Sequence, residues 1–431
     1  MTSAPPQPGL QDPGGALGDR RPPGDTVLSL YPLTYLADGG EVTVGCVDAE
    51  SYAVLPADGA ALLQQLADGC TLDQAADWYH RTYGEQIDVA EFAETLAELE
   101  FLRPAGAGDE AGAAAETAPA APVRWQRLGR AVFSVPGALC MAALLVTWIV
   151  VMVRTPSLVP SNHDIFFTGY MSIVELVLFL GQFPLLLLHE SFHALAGRRL
   201  GLNSRLTIGR RLYYIVFLTA MDGLVTVPRR KRYLPMLAGL LADALVAAIL
   251  TLVAAASTGP SGRPDLAGGI CLALAYATEL RMLWQAYFYL ETDLYYVVVT
   301  LFGCVQLQAT ARAVLRNRWN RLRKRTDRLI DPENWHPRDR AVARWYSWLV
   351  LAGYTFSLVS LPVIVVPVAY RIFVSVGARL VHPSGHSLAG LADSTVFLVL
   401  NAAQLVVIAW FVRRERAAAR NASPRPEEAR S

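Results

Sequence analysis

The sequence predicts a mainly α-helical membrane protein: a six-span bundle, a small α+β domain of winged-helix-like order in front of it, and a short β-hairpin on its cytoplasmic side. Three observations carry that prediction. Hydrophobic residues make up 53% of the chain and charged residues 17%, well under the roughly 25% charge of soluble domains. Apolar runs long enough for a hydrocarbon core of about 30 Å recur along the last three hundred residues. The first hundred contain no such run and read instead as short strands followed by capped helices.

Residues 1–25 are rich in Pro and Gly and lack an apolar h-region, so a disordered start without a cleavable signal is expected. Strand-like runs follow at 27–35, 41–47 and 51–56, with Asp38-Gly39-Gly40 turning the first into the second. Helices come next. The first, 58–67, is closed by Asp68-Gly69; Thr71 and Gln74 form a capping box for the second. A third opens at Asp88 and aligns Phe92, Leu96 and Leu99 on one stripe. Together they bound a domain at 26–103. A net charge of +1 gives no reason to expect a nucleic-acid partner.

An Ala, Gly and Pro tract at 104–123 reads as a flexible linker. The remaining chain, 124–416, holds apolar runs at 131–153, 169–196, 233–256, 266–304, 345–373 and 393–412. The fourth is too long for one span unless it tilts, breaks or projects. Arginines fall on one side of a six-span count: Arg124, Arg127 and Arg130 before the first, Arg198 and Arg199 after the second, Arg229 and Arg230 before the third, Arg413 and Arg414 after the sixth. The positive-inside rule therefore places both termini in the cytoplasm, with a disordered tail at 417–431. The basic block at 312–344 is read as a topology and lipid-contact signal rather than a nucleic-acid patch.

Chemistry concentrates at His189-Glu190-Ser191-Phe192-His193, an HExxH sequence inside the second apolar run. Four residues apart on a helix, the imidazoles share one face and can grip one metal ion. Glu190 beside them suits a general base acting on a water whose pKa zinc has lowered toward ~7. Five scattered cysteines without a CxxC leave His and carboxylate as the ligand types. A third ligand is needed, and two acids are candidates: Asp222, in an alternating hairpin-like stretch at 202–228, and Asp293, in the fourth apolar run. Asp293 is preferred because a carboxylate in an apolar helix needs a partner and one in a polar hairpin does not; Glu291, two residues away, is the weaker rival. Glu175, Gln182 and His189 recur every seven residues, and Arg281, Gln285, Tyr289 and Asp293 every four. Both stripes should face the bundle interior or a wet cleft. Pro184 is positioned to kink the second span.

Two resemblances add to this reading. The order of the front elements and the phrases Leu55-Pro56-Ala57-Asp58-Gly59, Leu66-Ala67-Asp68-Gly69-Cys70-Thr71 and Leu99-Glu100-Phe101-Leu102 resemble the PqqD-like domains. That resemblance implies capture of a leader or precursor peptide by strand addition. The buried HExxH, the hairpin, the run Leu237-Ala238-Gly239-Leu240-Leu241-Ala242-Asp243 and the acid followed by Tyr295-Tyr296 resemble the site-2 protease family of membrane-embedded zinc metallopeptidases. It implies one Zn2+ held by His189, His193 and Asp293, with Glu190 as base, in a multi-pass protein of the cytoplasmic membrane of a bacterium. The chain departs from the family where Gly-Pro is usual (Gly239-Leu240), where Asn is usual (Asp243) and where Asp-Gly is usual (Asp293-Leu294). The expected partners are a ribosomally synthesised peptide and the lipid bilayer. The alternatives are a regulated protease cutting a membrane anchor, and a non-catalytic export or immunity component.

Overall fold

The computed structural model describes residues 22–38, 40–46, 51–103, 123–211, 214–221, 223–259, 262–382 and 387–421. The linker tract at 104–122, Asp222 and residues 422–431 lie outside them. The chain separates into two units, each described in turn: one takes residues up to Arg130 with Ala194–Thr207 and Thr219–Pro235, the other the remainder.

In the first unit, β1 (Leu33–Asp38), β2 (Glu41–Cys46) and β3 (Ser51–Pro56) form an antiparallel sheet in chain order. Strand β1 is shorter and later than the sequence suggests. The tight turn after Asp38 fixes the register from Asp38↔Glu41 to Leu33↔Cys46. Residues upstream find other partners, Val27 bridging Thr71 and Leu30 bridging Leu102. Helices α1 (Ala57–Ala67), α2 (Leu72–Tyr83) and α3 (Val89–Glu98) follow, and their apolar stripes close over the sheet around Val44, Leu62, Leu66 and Phe101. The caps are the expected ones. Thr71 and Gln74 make the reciprocal box, and Asp88 accepts from the amides of Ala90 and Glu91.

A second segment joins this unit. The Tyr52 hydroxyl accepts the amide of Gly223 at 2.6 Å. Gly223 has a left-handed φ of 79°, which glycine tolerates, and opens the short turn Leu224–Thr226. The Thr226 methyl lies so close to Gly45 that a side chain there would overlap it.

Among the described residues six helices are long and apolar enough to cross a membrane. Helix α4 (Gln126–Val132) precedes the first, α5 (Val135–Arg154), none of whose residues is buried. Helix α6 (Met171–Arg199) is the second and runs unbroken through Pro184. Its first amides are capped by the carboxylate of Asp393, which accepts from the amides of Met171 and Ser172. A two-stranded sheet follows, β4 (Ser204–Arg211) with β5 (Tyr214–Met221). Helices α7 (Arg229–Ala256) and α8 (Leu266–Trp284) are the third and fourth spans.

The fourth apolar run breaks instead of tilting. After α8 come a 3-10 turn, Phe288–Leu290, then α9 (Asp293–Phe302) and α10 (Leu307–Leu322), the last two bent by 86° from each other. Helix α11 (Pro337–Ser360) continues through a π turn at Pro362 into α12 (Val366–Val381), and α13 (Leu388–Asn421) ends the described chain. Large apolar side chains stand exposed along these helices, among them Val135, Leu139, Phe179, Leu180 and Leu405. That belt is costly in water and ordinary against lipid.

Candidate metal centre

Helix periodicity sets the first part of the site. His189 and His193, one turn apart on α6, are 3% and 4% exposed, with Nε2 atoms 3.2 Å from each other. Glu190, next along, is buried as well.

The third corner comes from the break in the fourth apolar run. Trp284 ends α8, and the Gln285 side chain accepts the Asp293 amide at 3.0 Å while its carbonyl accepts the Thr292 hydroxyl at 2.7 Å. These two bonds fold the chain back and start α9 with Asp293 as its first residue. The turn between is held from outside: Tyr346 donates to the Phe288 carbonyl and the Gln308 amide to that of Tyr289, both at 3.0 Å. Asp293 Oδ2 then stands 3.2 Å from His189 Nε2 and 3.1 Å from His193 Nε2.

The triangle has edges of 3.1–3.2 Å. A tetrahedral zinc with ligand distances of about 2.0–2.1 Å spaces its ligand atoms about 3.3 Å apart. The donor chemistry agrees. His189 Nδ1 lies 3.0 Å from Asp243 Oδ2, so the neutral ring carries its hydrogen there and turns the Nε2 lone pair toward Asp293 and His193. Lone pairs and a carboxylate converging in a buried site repel one another unless a cation joins them. His189, His193 and Asp293 are the group among the described residues that could hold a metal ion.

Asp243, fully buried on α7, is the residue the motif did not reveal. Arg281 of α8 binds it through Nη2 to Oδ1 at 2.6 Å and Nε to Oδ2 at 3.1 Å, and reaches Gln182 Oε1 through Nη1 at 2.7 Å. The arginine cancels the buried carboxylate. The Asp293 carboxylate facing the two imidazoles completes a donor set that could hold a metal ion. An acid inside an apolar helix was the available signal for Asp243, the same one that singled out Asp293.

Gly239, one turn before Asp243 on α7, shapes the opposite wall. A side-chain carbon there would overlap the Nε2 atoms of both His189 and His193. Bare backbone lets α7 approach the imidazoles this closely.

The polar stripes and the rival ligand take other places than the spacing suggests, the Arg281-to-Asp293 stripe being broken where α8 ends at Trp284. Glu175 accepts from Asn401 at 3.0 Å and Gln404 at 2.6 Å, both on α13. Glu291 is not on a helix, so helical spacing does not govern it. It caps the 3-10 turn with a left-handed φ of 55° and pairs with Arg312 at 3.0 Å. The other candidate ligand, Asp222, lies outside the described residues. No family model, no curated protein and no solved structure matches this chain.

Proposed function

We propose that this protein is a membrane-embedded zinc metallopeptidase of the site-2 protease kind, acting on a ribosomally synthesised peptide that its N-terminal domain captures. The observation that carries the reading is the convergence of His189, His193 and Asp293 beside Glu190 within apolar helices. Zinc bound there would supply Lewis acidity toward a peptide carbonyl and toward water. The chain supplies the rest. Glu190 accepts the proton that the attacking water gives up and returns it to the leaving amide nitrogen. Asp243, neutralised by Arg281, keeps the hydrogen of His189 on Nδ1. Gln285 and Thr292 fix the backbone at the start of α9, and with it the place of the Asp293 carboxylate.

His193 is five residues from Arg198 on the same helix, which suits a substrate arriving from the cytoplasmic side. In the N-terminal domain β1 and β3 are both edge strands among the described residues, each pairing with β2. An extended peptide can add to such an edge through backbone hydrogen bonds, the PqqD-like mode. A tethered capture domain raises the local concentration of peptide at the hydrolytic centre. The localisation that accompanies this reading is the cytoplasmic membrane of a bacterium, with both termini inside.

The test is Glu190→Gln. The purified variant should retain about one zinc and lose cleavage of a precursor peptide by roughly 10²–10⁴-fold; undiminished turnover overturns the enzyme reading. Deleting residues 1–103 should weaken cleavage of a soluble precursor and spare a membrane-spanning substrate.

A further inference from the structure

The segment from Arg312 to Arg344 holds eleven Arg and Lys residues against four acids. Its first half is α10, which leaves α9 at 86°. One of two perpendicular helices can follow the membrane normal and the other must then lie near the plane. Helix α9 is almost wholly apolar and α10 is arginine-rich, so α10 is the one at the surface.

Two sides of α10 are accounted for differently. Toward α11 it is committed: Arg318 donates to Ser347 and stacks on Trp348 with its Cζ 4.5 Å from the ring centroid, and Asn317 exchanges two bonds with the backbone of Ile330. Arg316 and Arg321 on α10, and Arg323, Lys324 and Arg325 just past its end, are all exposed and without an ion-pair partner among the described residues, Arg323 lying over the Trp319 ring with its Cζ 4.3 Å from the centroid. Complementing the helix dipole explains one or two cations in the last turn, not five. Between them Trp319 is 54% and Leu322 79% exposed, and two to three turns into α11 Trp345 and Trp348 are 49% and 58% exposed. Cations interleaved with exposed tryptophan and leucine, directly between two apolar helices, match a headgroup layer with acyl chains beneath it.

We infer that the exposed basic surface of α10 and the residues just past its end is a binding surface for anionic phospholipid headgroups, with the basic side chains on the phosphates and Trp319 and Leu322 set into the acyl boundary. The surface selects charge in the leaflet it touches, beyond a general affinity for bilayer. It needs the helices in a membrane but makes no use of the metal centre, so lipid selectivity and peptide hydrolysis can fail separately.

The full chain, reconstituted in phosphatidylcholine vesicles, is probed with spin-labelled phosphatidylglycerol and with spin-labelled phosphatidylcholine. The motionally restricted fraction of each label reports the lipid held at the protein surface. The anionic label should be favoured roughly fivefold, less at high salt. Replacing Arg316, Arg321, Arg323, Lys324 and Arg325 together by Gln should bring the preference toward unity, while Lys at the four arginine positions should keep most of it. Equal retention of both labels by the native chain overturns the inference, as does an undiminished preference in the Gln variant. Capture of single-stranded RNA by the native chain, with no lipid preference, would assign the face to nucleic acid instead.

Discussion

Asp243 and Arg281 are joined by a two-point fork between neighbouring helices, and the carboxylate oxygen that receives Arg281 Nε also faces His189 Nδ1 at 3.0 Å. The fork therefore orients an imidazole whose other nitrogen points at the candidate metal position. Asp243→Ala should lower zinc affinity about 10–100-fold, as loss of such supporting carboxylates does elsewhere. It also strands Arg281 beside buried surface, so the same variant should unfold more readily. Zinc competition titration and thermal unfolding read the two effects. Unchanged zinc affinity in a folded variant would show that His189 is held some other way.

The choice between acids is open to direct measurement. Asp293→Ala should abolish stoichiometric zinc in the purified chain and Asp222→Ala should not, as read by elemental analysis. The reverse pattern would move the third ligand to the hairpin.

Gly239→Ala should be far more damaging than a methyl group in a membrane helix normally is. The added carbon would occupy space held by both imidazole Nε2 atoms. Zinc content should fall while helix content by circular dichroism stays near native. Full zinc occupancy in the variant would mean that α7 can retreat without cost.

The N-terminal domain carries its own pH signature. Tyr79 donates to Asp58 Oδ2 at 2.6 Å. That bond holds the Asp58 carboxyl below the ordinary aspartate range and, with burial, pushes the Tyr79 phenol up to about 12. The signs are opposite at the two ends. The Asp58 contribution is present above about pH 4 and fades as pH falls through the lowered value. The Tyr79 contribution is intact below about pH 10 and fades as pH rises toward 12. Tyr79→Phe should lower the domain's calorimetric transition near neutrality and flatten both flanks. Identical profiles for variant and native chain would show the bond to be energetically silent.

Much of this was legible from the residues. HExxH has a helical spacing that needs no fold to interpret, and Asp293 stood out because an acid in an apolar run demands a partner. The caps at Thr71 and Asp88 are local chemistry and fall where their sequences put them. What stayed hidden was set by distant groups. The break between α8 and α9 lies in a sequence with no helix-breaking Pro or Gly, and it depends on Gln285, Tyr346 and Gln308 catching the backbone from separate elements. Likewise Asp243 meets Arg281 across 38 residues, and Glu175 meets Gln404 across 229, pairings that no periodicity encodes. The start of β1 was misjudged because hairpin register, not β-propensity, decides where pairing stops.

The hydrogen bond from Gly223 to Tyr52 moors the N-terminal sheet a few residues ahead of α7, the helix that carries Gly239 and Asp243. Losing the phenol would leave the Gly223 amide without that acceptor and loosen the turn Leu224–Thr226 from the strands it packs on.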